Sequence, residues 1–347
     1  MRDFLVLEDG TFFRGRSVGA DGIVFGEAVF TTGMTGYQET VTDPSYAEQL
    51  VTFTAAMVGN YGVAARRSQS DSAHARAVLM RECGGDAWAT WLAERGVVAL
   101  AGIDTRALVL HLRERGALRA AAVAGEACAA DVLDRVRSAE GMAGRALVAQ
   151  VSTREPYRFG AGPTHIAVID YGCKRAILAR LEAAGAHATV WPHTVDADTV
   201  LASRPDGVLL SNGPGDPAAL PQEVAVVREL LGRVPVLGIC LGHQLLALAA
   251  GFTTFKLPFG HRGANHPVLD VASDRVSVTS QNHGFAVEGD GPGVSHRSLY
   301  DGTVEGLDLP GHAARSVQFH PEAGPGPHDA WPILERFVEE VRLAEAA

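Results

Sequence analysis

Pro235-Val-Leu-Gly238-Ile-Cys240-Leu-Gly242-His-Gln244-Leu-Leu-Ala-Leu-Ala-Ala250-Gly251 is the stretch on which the reading of this chain turns. It begins as an apolar run ending at Gly238-Ile239, the pattern of a buried strand. Leu241 to Ala250 is rich in Leu and Ala, both strong helix formers, and Gly251 is placed to end the helix. A strand that turns at once into a helix strains the residue at the corner. Its neighbours must lack a Cβ where the backbones crowd together. Gly-x-Cys-x-Gly meets that requirement and sets Cys240 where a nucleophile elbow carries its reactive residue. The helix start offers free N–H groups and positive partial charge, which favour thiolate over thiol. Two readings stand at this point: a reactive nucleophile, or a buried structural cysteine at a tight turn, the usual state of a free thiol.

Working outward, the residues before this stretch alternate between strands and helices. His165 to Asp170 is a short apolar strand and Lys174 to Ala184 a helix ending at Gly185. Further strands are expected at 188–191, 207–210 and 234–239, with helices near 197–202 and 221–231. Strands separated by helices of this length indicate βαβ units and a parallel sheet buried on both faces. Ligands in such sheets sit beyond the carboxyl ends of the strands, where Ser211 to Asp216 and Cys240 both fall. After Phe252 the pattern loosens into β pieces, with a hairpin signal at Asp301-Gly302, a strand at 315–319 and a final helix near 331–344.

Towards the N-terminus, residues 4–8 and 11–14 flank Asp9-Gly10, a two-residue hairpin signal. Thr32 to Tyr46 is dense in turn formers and reads as a connector or a binding loop. Asp104 is placed to cap a helix carrying Leu108 and Leu112, and Gly116 to end it. Enrichment in Gly, Pro and Arg across 141–163 marks a boundary. The expected division is 1–150, a linker at 151–163, and 164–347.

Composition narrows the function. At 347 residues the chain is long enough for two cores, and a formal net charge of −10 disfavours nucleic-acid or anionic-membrane partners. No apolar run reaches the roughly 20 residues a spanning helix needs, and the N-terminus turns acidic too early for a secretory signal. Cys83, Cys128, Cys173 and Cys240 are widely spaced, which suits a reducing compartment rather than disulfides or a zinc knuckle. A cytoplasmic chain without metal is expected.

A thiol nucleophile needs a base to take its proton and return it to the leaving group. His320, at the end of a late strand, is the candidate, with Pro321 fixing the turn and Glu322 placed to accept the second ring N–H. Alone, His-Pro-Glu is more simply a satisfied turn at a strand end. Ser211-Asn212-Gly213-Pro214-Gly215-Asp216-Pro217 exposes backbone N–H groups that, with that of Leu241, can form an oxyanion hole. Gln281 to Phe285 is either a substrate clamp or a plain loop. His243, His261, His266, His312 and His328 are assigned to surface or packing roles, and the other three cysteines to structure.

In combination, Gly238 to Gln244, Ser211 to Pro217 and His320-Pro-Glu322 resemble a class I glutamine amidotransferase domain. Pro258 to Pro267, Gln281 to Val287, Glu322 to Asp329, Leu7 to Gly10, Gly33 to Glu39, Thr42 to Tyr46 and Gly102 to Arg106 resemble the small, glutamine-hydrolysing chain of carbamoyl-phosphate synthase. The likeness covers essentially the whole chain, and its N-terminal part discriminates, because other amidotransferases share only the second domain's motifs. It implies a mixed β/α N-terminal domain and a flavodoxin-like α/β domain with a mainly parallel sheet. It also implies Cys240 as nucleophile, His320 as general base and acid, and Glu322 as its orienter. Contacts to glutamine are implied for Ser45, Gly213, Gly215, Leu241, Gln244, Asn282, Gly284 and Phe285. Cys173 departs from the small or aliphatic residues usual there.

The resemblance further implies a thioester intermediate, and ammonia passed to a large synthetase subunit for carbamoyl phosphate synthesis, serving arginine and pyrimidine biosynthesis. No cofactor is expected in this chain, with ATP and Mg on the large subunit. The expected assembly is a heterodimer, open to higher oligomers. The alternatives are an amidotransferase subunit feeding a different synthase, or a non-catalytic interaction subunit that keeps the fold.

Overall fold

The central strands are buried along nearly their whole length, and because successive side chains point to opposite faces, they build a layer of side chains on each face of two separate sheets. The structure, a computed structural model, describes residues 1–345; the last two residues of the expected second domain lie outside the described residues. The chain divides into two units: Met1–Ala143 with Pro258–Gly263, and Gly144–Leu257 with the chain from Ala264 onward.

The first unit holds an eight-stranded mixed sheet. Its order is Phe12–Arg14, Arg2–Leu7, Leu118–Glu126, Gly22–Thr31, Gln49–Phe53, Ala77–Leu79, Val98–Ala101 and Arg16–Ser17. Gly22–Thr31 is antiparallel to Leu118–Glu126 but parallel to Gln49–Phe53, and the next two pairings are also parallel. The Asp9-Gly10 hairpin forms, with Leu7 N–H donating to Thr11 O at 3.0 Å. Helix Thr105–Arg115 starts where Asp104 Oδ1 accepts from Ala107 N (3.0 Å) and stops at Gly116, whose φ is 92°. Leu108 and Leu112 pack from it onto Leu50, Leu79 and Leu100. On the opposite face Trp88, Trp91 and Tyr37 pack on Val51 and Val78. The stretch 32–46 is more ordered than a loop, carrying helix Tyr37–Thr42 and the 3₁₀ turn Pro44–Tyr46. Pro258–Gly263 belongs to this unit because Pro258 O accepts from Ala117 N (2.6 Å), Arg262 O accepts from Thr32 N (3.1 Å), and Phe259 stacks on Phe30.

The second unit is built on a ten-stranded sheet. Five neighbouring strands run parallel in the order Ala186–Pro192, Thr164–Asp170, Gly207–Leu210, Val236–Ile239, Ala314–Val317. Numbered along the chain that is 2-1-3-4-5, the flavodoxin-like order. Antiparallel strands extend one edge, namely Val304–Leu309, Arg275–Glu288, Thr253–Asp270 and Val294–Ser298. Ile166 and Val168 face helices Arg175–Ala183 and Pro332–Glu345. Ala167 and Ile169 face the layer of helices Pro221–Leu230 and Leu241–Ala249. Residues 151–163, expected as a linker, are part of this unit. Ser152 Oγ accepts from His193 N (3.0 Å), Asp170 Oδ2 accepts from Thr153 N (2.7 Å), and Tyr157–Phe159 adds an edge strand to Ala186–Pro192. No helix among the described residues is long and apolar enough to cross a membrane.

Two glycines set how closely the helix after the central strand approaches the sheet. A Cβ on Gly242 would lie 2.2 Å from the carbonyl oxygen of Leu210, and one on Gly238 would lie 2.6 Å from that of Gly242. Backbone cannot yield as a flexible side chain can, so Gly242→Ala is expected to destabilise the second unit by about 3 kcal/mol. Urea unfolding followed by circular dichroism measures it, and a loss below about 0.5 kcal/mol would contradict this packing.

Candidate active site at the carboxyl edge of the parallel sheet

Cys240 stands between strand Val236–Ile239 and helix Leu241–Ala249, with φ 53° and ψ −105°. A non-glycine residue pays strain of order 1–3 kcal/mol in such a conformation. Here the surrounding backbone fixes it: Cys240 N–H donates to Val317 O (2.9 Å), Gly242 N–H to Ser211 O (3.0 Å) and Gln244 N–H to Cys240 O (3.2 Å). The sulfur is buried and lies 3.6 Å from the carbonyl oxygen of Asn282.

His320 arrives from the end of the neighbouring parallel strand, its N–H donating to Ser280 O at 2.9 Å. Its ring Nδ1 is 2.6 Å from Glu322 Oε1, which assigns that nitrogen as the donor to the carboxylate. The other ring edge is left for Cys240, which interacts with the ring without the geometry of a full hydrogen bond at Nε2. Glu322 Oε1 in turn lies 2.8 Å from Lys174 Nζ, and the same ammonium donates to Ala323 O at 2.8 Å. All four side chains are buried.

Charge decides the protonation of this row. Burial is the largest influence on His320 and opposes its charge, with Lys174 opposing too, but the Glu322 carboxylate and Cys240 together override them, so the ring is pushed up to about 10. Burial likewise opposes ionised Glu322; Lys174 and then His320 override it and hold the carboxyl down to about 2. A carboxylate between two cations is the arrangement that keeps a buried charge ionised. In the sequence Lys174 is only the start of a helix. Its signal in the sequence is weak, since a lysine at a helix boundary is normally solvated; only the fold, leaving it 3% exposed, reveals it.

The remaining expected residues of the second unit lie on the elements that carry this row. Ser211 Oγ accepts from Tyr171 N (2.9 Å), and Gly213 passes so close that a Cβ there would lie 2.2 Å from Tyr171 O. Gly215 has φ 98°, and Asp216 pins the loop by accepting from Gly144 N (2.8 Å) and Ala218 N (2.9 Å). Leu241 opens the helix, and Gln244, one turn on, donates from Nε2 to Phe285 O (2.9 Å) and to Gln318 Oε1 (2.9 Å). Asn282, Gly284 and Phe285 lie within strand Arg275–Glu288 rather than in a loop. Gln281 anchors that segment by donating to Glu305 Oε2 at 2.8 Å. Ser45 belongs to the first unit, buried in the Pro44–Tyr46 turn with its N–H donating to Asp43 Oδ1 at 2.9 Å.

The bystanders separate clearly. Burial pushes the Cys173 thiol well up, with Asp170 and Glu322 adding, so this half-buried sulfur stays protonated. His243 is buried with Nδ1 2.8 Å from Ser316 Oγ, and desolvation drives its ring down to about 3. It is a neutral packing residue.

The chain is similar to known proteins over most of its length. Residues 167–340 match the family model for glutamine amidotransferase class-I, and residues 5–122 match that for the carbamoyl-phosphate synthase small chain, CPSase domain. Similar relatives include the carbamoyl phosphate synthase small chain of Syntrophotalea carbinolica, 44% identical across 98% of this chain and 97% of that protein. The proteins of the same name from Thioalkalivibrio sulfidiphilus and Salmonella typhimurium are 46% and 43% identical, each alignment covering 96% of both chains.

The buried charges predict a pH signature. Stability from the raised His320 is complete below its unfolded value of 6.5 and is lost as pH rises towards 10. Stability from the depressed Glu322 is complete above 4.5 and is lost as pH falls towards 2. Glu322→Gln leaves two buried cations without their anion and is expected to cost roughly 3–5 kcal/mol. The difference from the unaltered chain should peak between pH 4.5 and 6.5 and shrink towards both extremes. Denaturant unfolding across pH checks it, and a pH-independent difference would exclude this charge pattern.

Proposed function

Because this chain belongs to the carbamoyl phosphate synthase small-chain family, we propose that it is the glutamine-hydrolysing subunit of that synthase. The observation that carries the reading is the row Cys240, His320, Glu322, Lys174, assembled from three distant parts of the sequence at the carboxyl edge of the sheet. A core that only maintained the fold would gain more from apolar residues than from four buried polar and charged groups.

In this reading the sulfur of Cys240 attacks the side-chain amide carbon of glutamine. The carbonyl oxygen takes up negative charge, and the N–H groups of Leu241 and of the Gly213 loop stabilise it. His320, charged at neutral pH, returns a proton to the departing nitrogen, so ammonia leaves and a thioester remains. The ring, now neutral, takes a proton from water as it attacks the thioester carbon, and glutamate is released with the sulfur restored. Glu322 holds Nδ1 as a donor throughout, and Lys174 keeps Glu322 ionised. Gln244, Asn282, Gly284, Phe285 and Gly215 complete this unit's glutamine contacts. The ammonia passes to the large subunit of a cytoplasmic heterodimer, which holds ATP and Mg and makes carbamoyl phosphate for arginine and pyrimidine synthesis.

Cys240→Ser in the complex is expected to lower glutamine-dependent carbamoyl phosphate synthesis roughly a thousandfold or more while leaving synthesis from added ammonia intact. Retention of glutamine use by this variant, assayed by product formation from each nitrogen source, overturns the assignment.

A further inference from the structure

Two glutamine side chains meet behind the corner, and their orientations can be deduced without reference to hydrogen positions. Gln244 places one end of its amide 2.9 Å from the carbonyl oxygen of Phe285. A backbone carbonyl only accepts, so that end is the NH₂. Gln318 meets the same NH₂ at 2.9 Å and must do so with its oxygen. This leaves Nε2 of Gln318 buried and without a hydrogen-bond partner among the described residues. Turning the Gln318 amide over would not relieve it, because NH₂ would then face NH₂. Buried donors are nearly always paired. An arrangement that strands one is held in place by something other than its own stability.

What it secures is the other end of Gln244. Both its N–H groups are committed, and among the described residues nothing donates to its Oε1. Gln244 therefore presents an acceptor and no donor. It lies one helical turn beyond Cys240, about 6 Å along the axis. A glutamine whose amide carbon meets the Cys240 sulfur carries its α-ammonium three carbons away, a comparable distance. Gln318 is itself fixed from behind, its N–H donating to the carbonyl of buried Glu305 at 2.9 Å. It stands two residues before His320, so one short segment supplies both groups.

Resting on the glutamine-hydrolysis reading above, we infer that Gln318 is a positioning residue that sets substrate specificity. By tying the second N–H of Gln244, it holds that amide so that a carbonyl oxygen meets the substrate's α-ammonium. An amide of the same length without the α-amino group gains nothing from this arrangement.

The test uses the complex with the large chain and two substrates, glutamine and 4-carbamoylbutanoate, which is glutamine without its α-amino group. Gln318→Met keeps the volume and removes the acceptor. It is expected to lower kcat/KM for glutamine about tenfold, mainly through KM, the loss of about one hydrogen bond. The value for the analogue should not change, so the preference ratio falls by the same factor. Gln318→Glu restores an oxygen acceptor in the same shape and should keep the ratio. Equal losses for both amides in Gln318→Met, with ammonia-dependent synthesis intact, would make Gln318 merely structural and sink the inference. A ratio lost in Gln318→Glu as fully as in Gln318→Met would do the same. Absence of glutamine hydrolysis from the unaltered complex would instead overturn the underlying reading.

Discussion

The second unit depends on a backbone-to-backbone approach that only hydrogen can occupy. Gly242 lies against the carbonyl of Leu210 and Gly238 against that of Gly242, so the helix after the central strand can begin without a connecting loop. Cys240 is forced to positive φ as a result. The strain, of order 1–3 kcal/mol, is small beside what the close approach makes possible. Leu241, Leu245 and Leu246 are all buried by it, and each contributes roughly 1.5–3 kcal/mol. The corner is thus a by-product of good packing. Its chemical consequence is that one side chain is held rigidly at the sheet's carboxyl edge.

The second constraint is electrostatic. Burying Glu322, His320 and Lys174 costs several kcal/mol per ion, and mutual attraction repays it only if geometry is good. The row satisfies that condition, with contacts of 2.6 and 2.8 Å to the same carboxylate oxygen and a further bond from Lys174 to Ala323 O. Two cations sharing one anion leave a net positive charge beside Cys240. An apolar core would have been cheaper. The excess positive charge is what a site needs if a sulfur is to react as an anion and a leaving nitrogen is to be protonated.

How much of this was legible in the sequence follows from the range over which each signal acts. Asp104 capping its helix, Gly116 ending it and the Asp9-Gly10 hairpin are local backbone chemistry, and each formed where its residue type requires. The parallel sheet announced itself through the repeat of apolar strands and intervening helices. Residues 151–163 misled because Gly and Pro mark irregular backbone without saying whether it is free; here Tyr157–Phe159 adds a strand to the sheet edge. Pro258–Gly263 could not be assigned to the first unit at all, since its bonds to Thr32 and Ala117 are pairings across more than a hundred positions. Lys174 and Gln318 carry no local signal for a related reason. Nothing adjacent to either distinguishes it from a solvated lysine or an ordinary strand residue.

The site's parts come from residues 174, 211–216, 240–244, 281–285 and 318–322, and no two of these stretches are neighbours in sequence. Four of them lie at or just past the ends of strands that are adjacent, or nearly so, in the sheet. A one-residue slip in this sheet would exchange its two apolar layers and set the side chains of each against a core shaped for the other, which close packing resists. The same two-faced apolar packing that stabilises the unit therefore also fixes where His320 stands relative to Cys240, to within the pleat of a strand. Chemistry at this edge needs no separate device to assemble it; it is set by the pairing of Gly238 with Ser316 and of Ile239 with Val317, one residue before the corner and three before the imidazole.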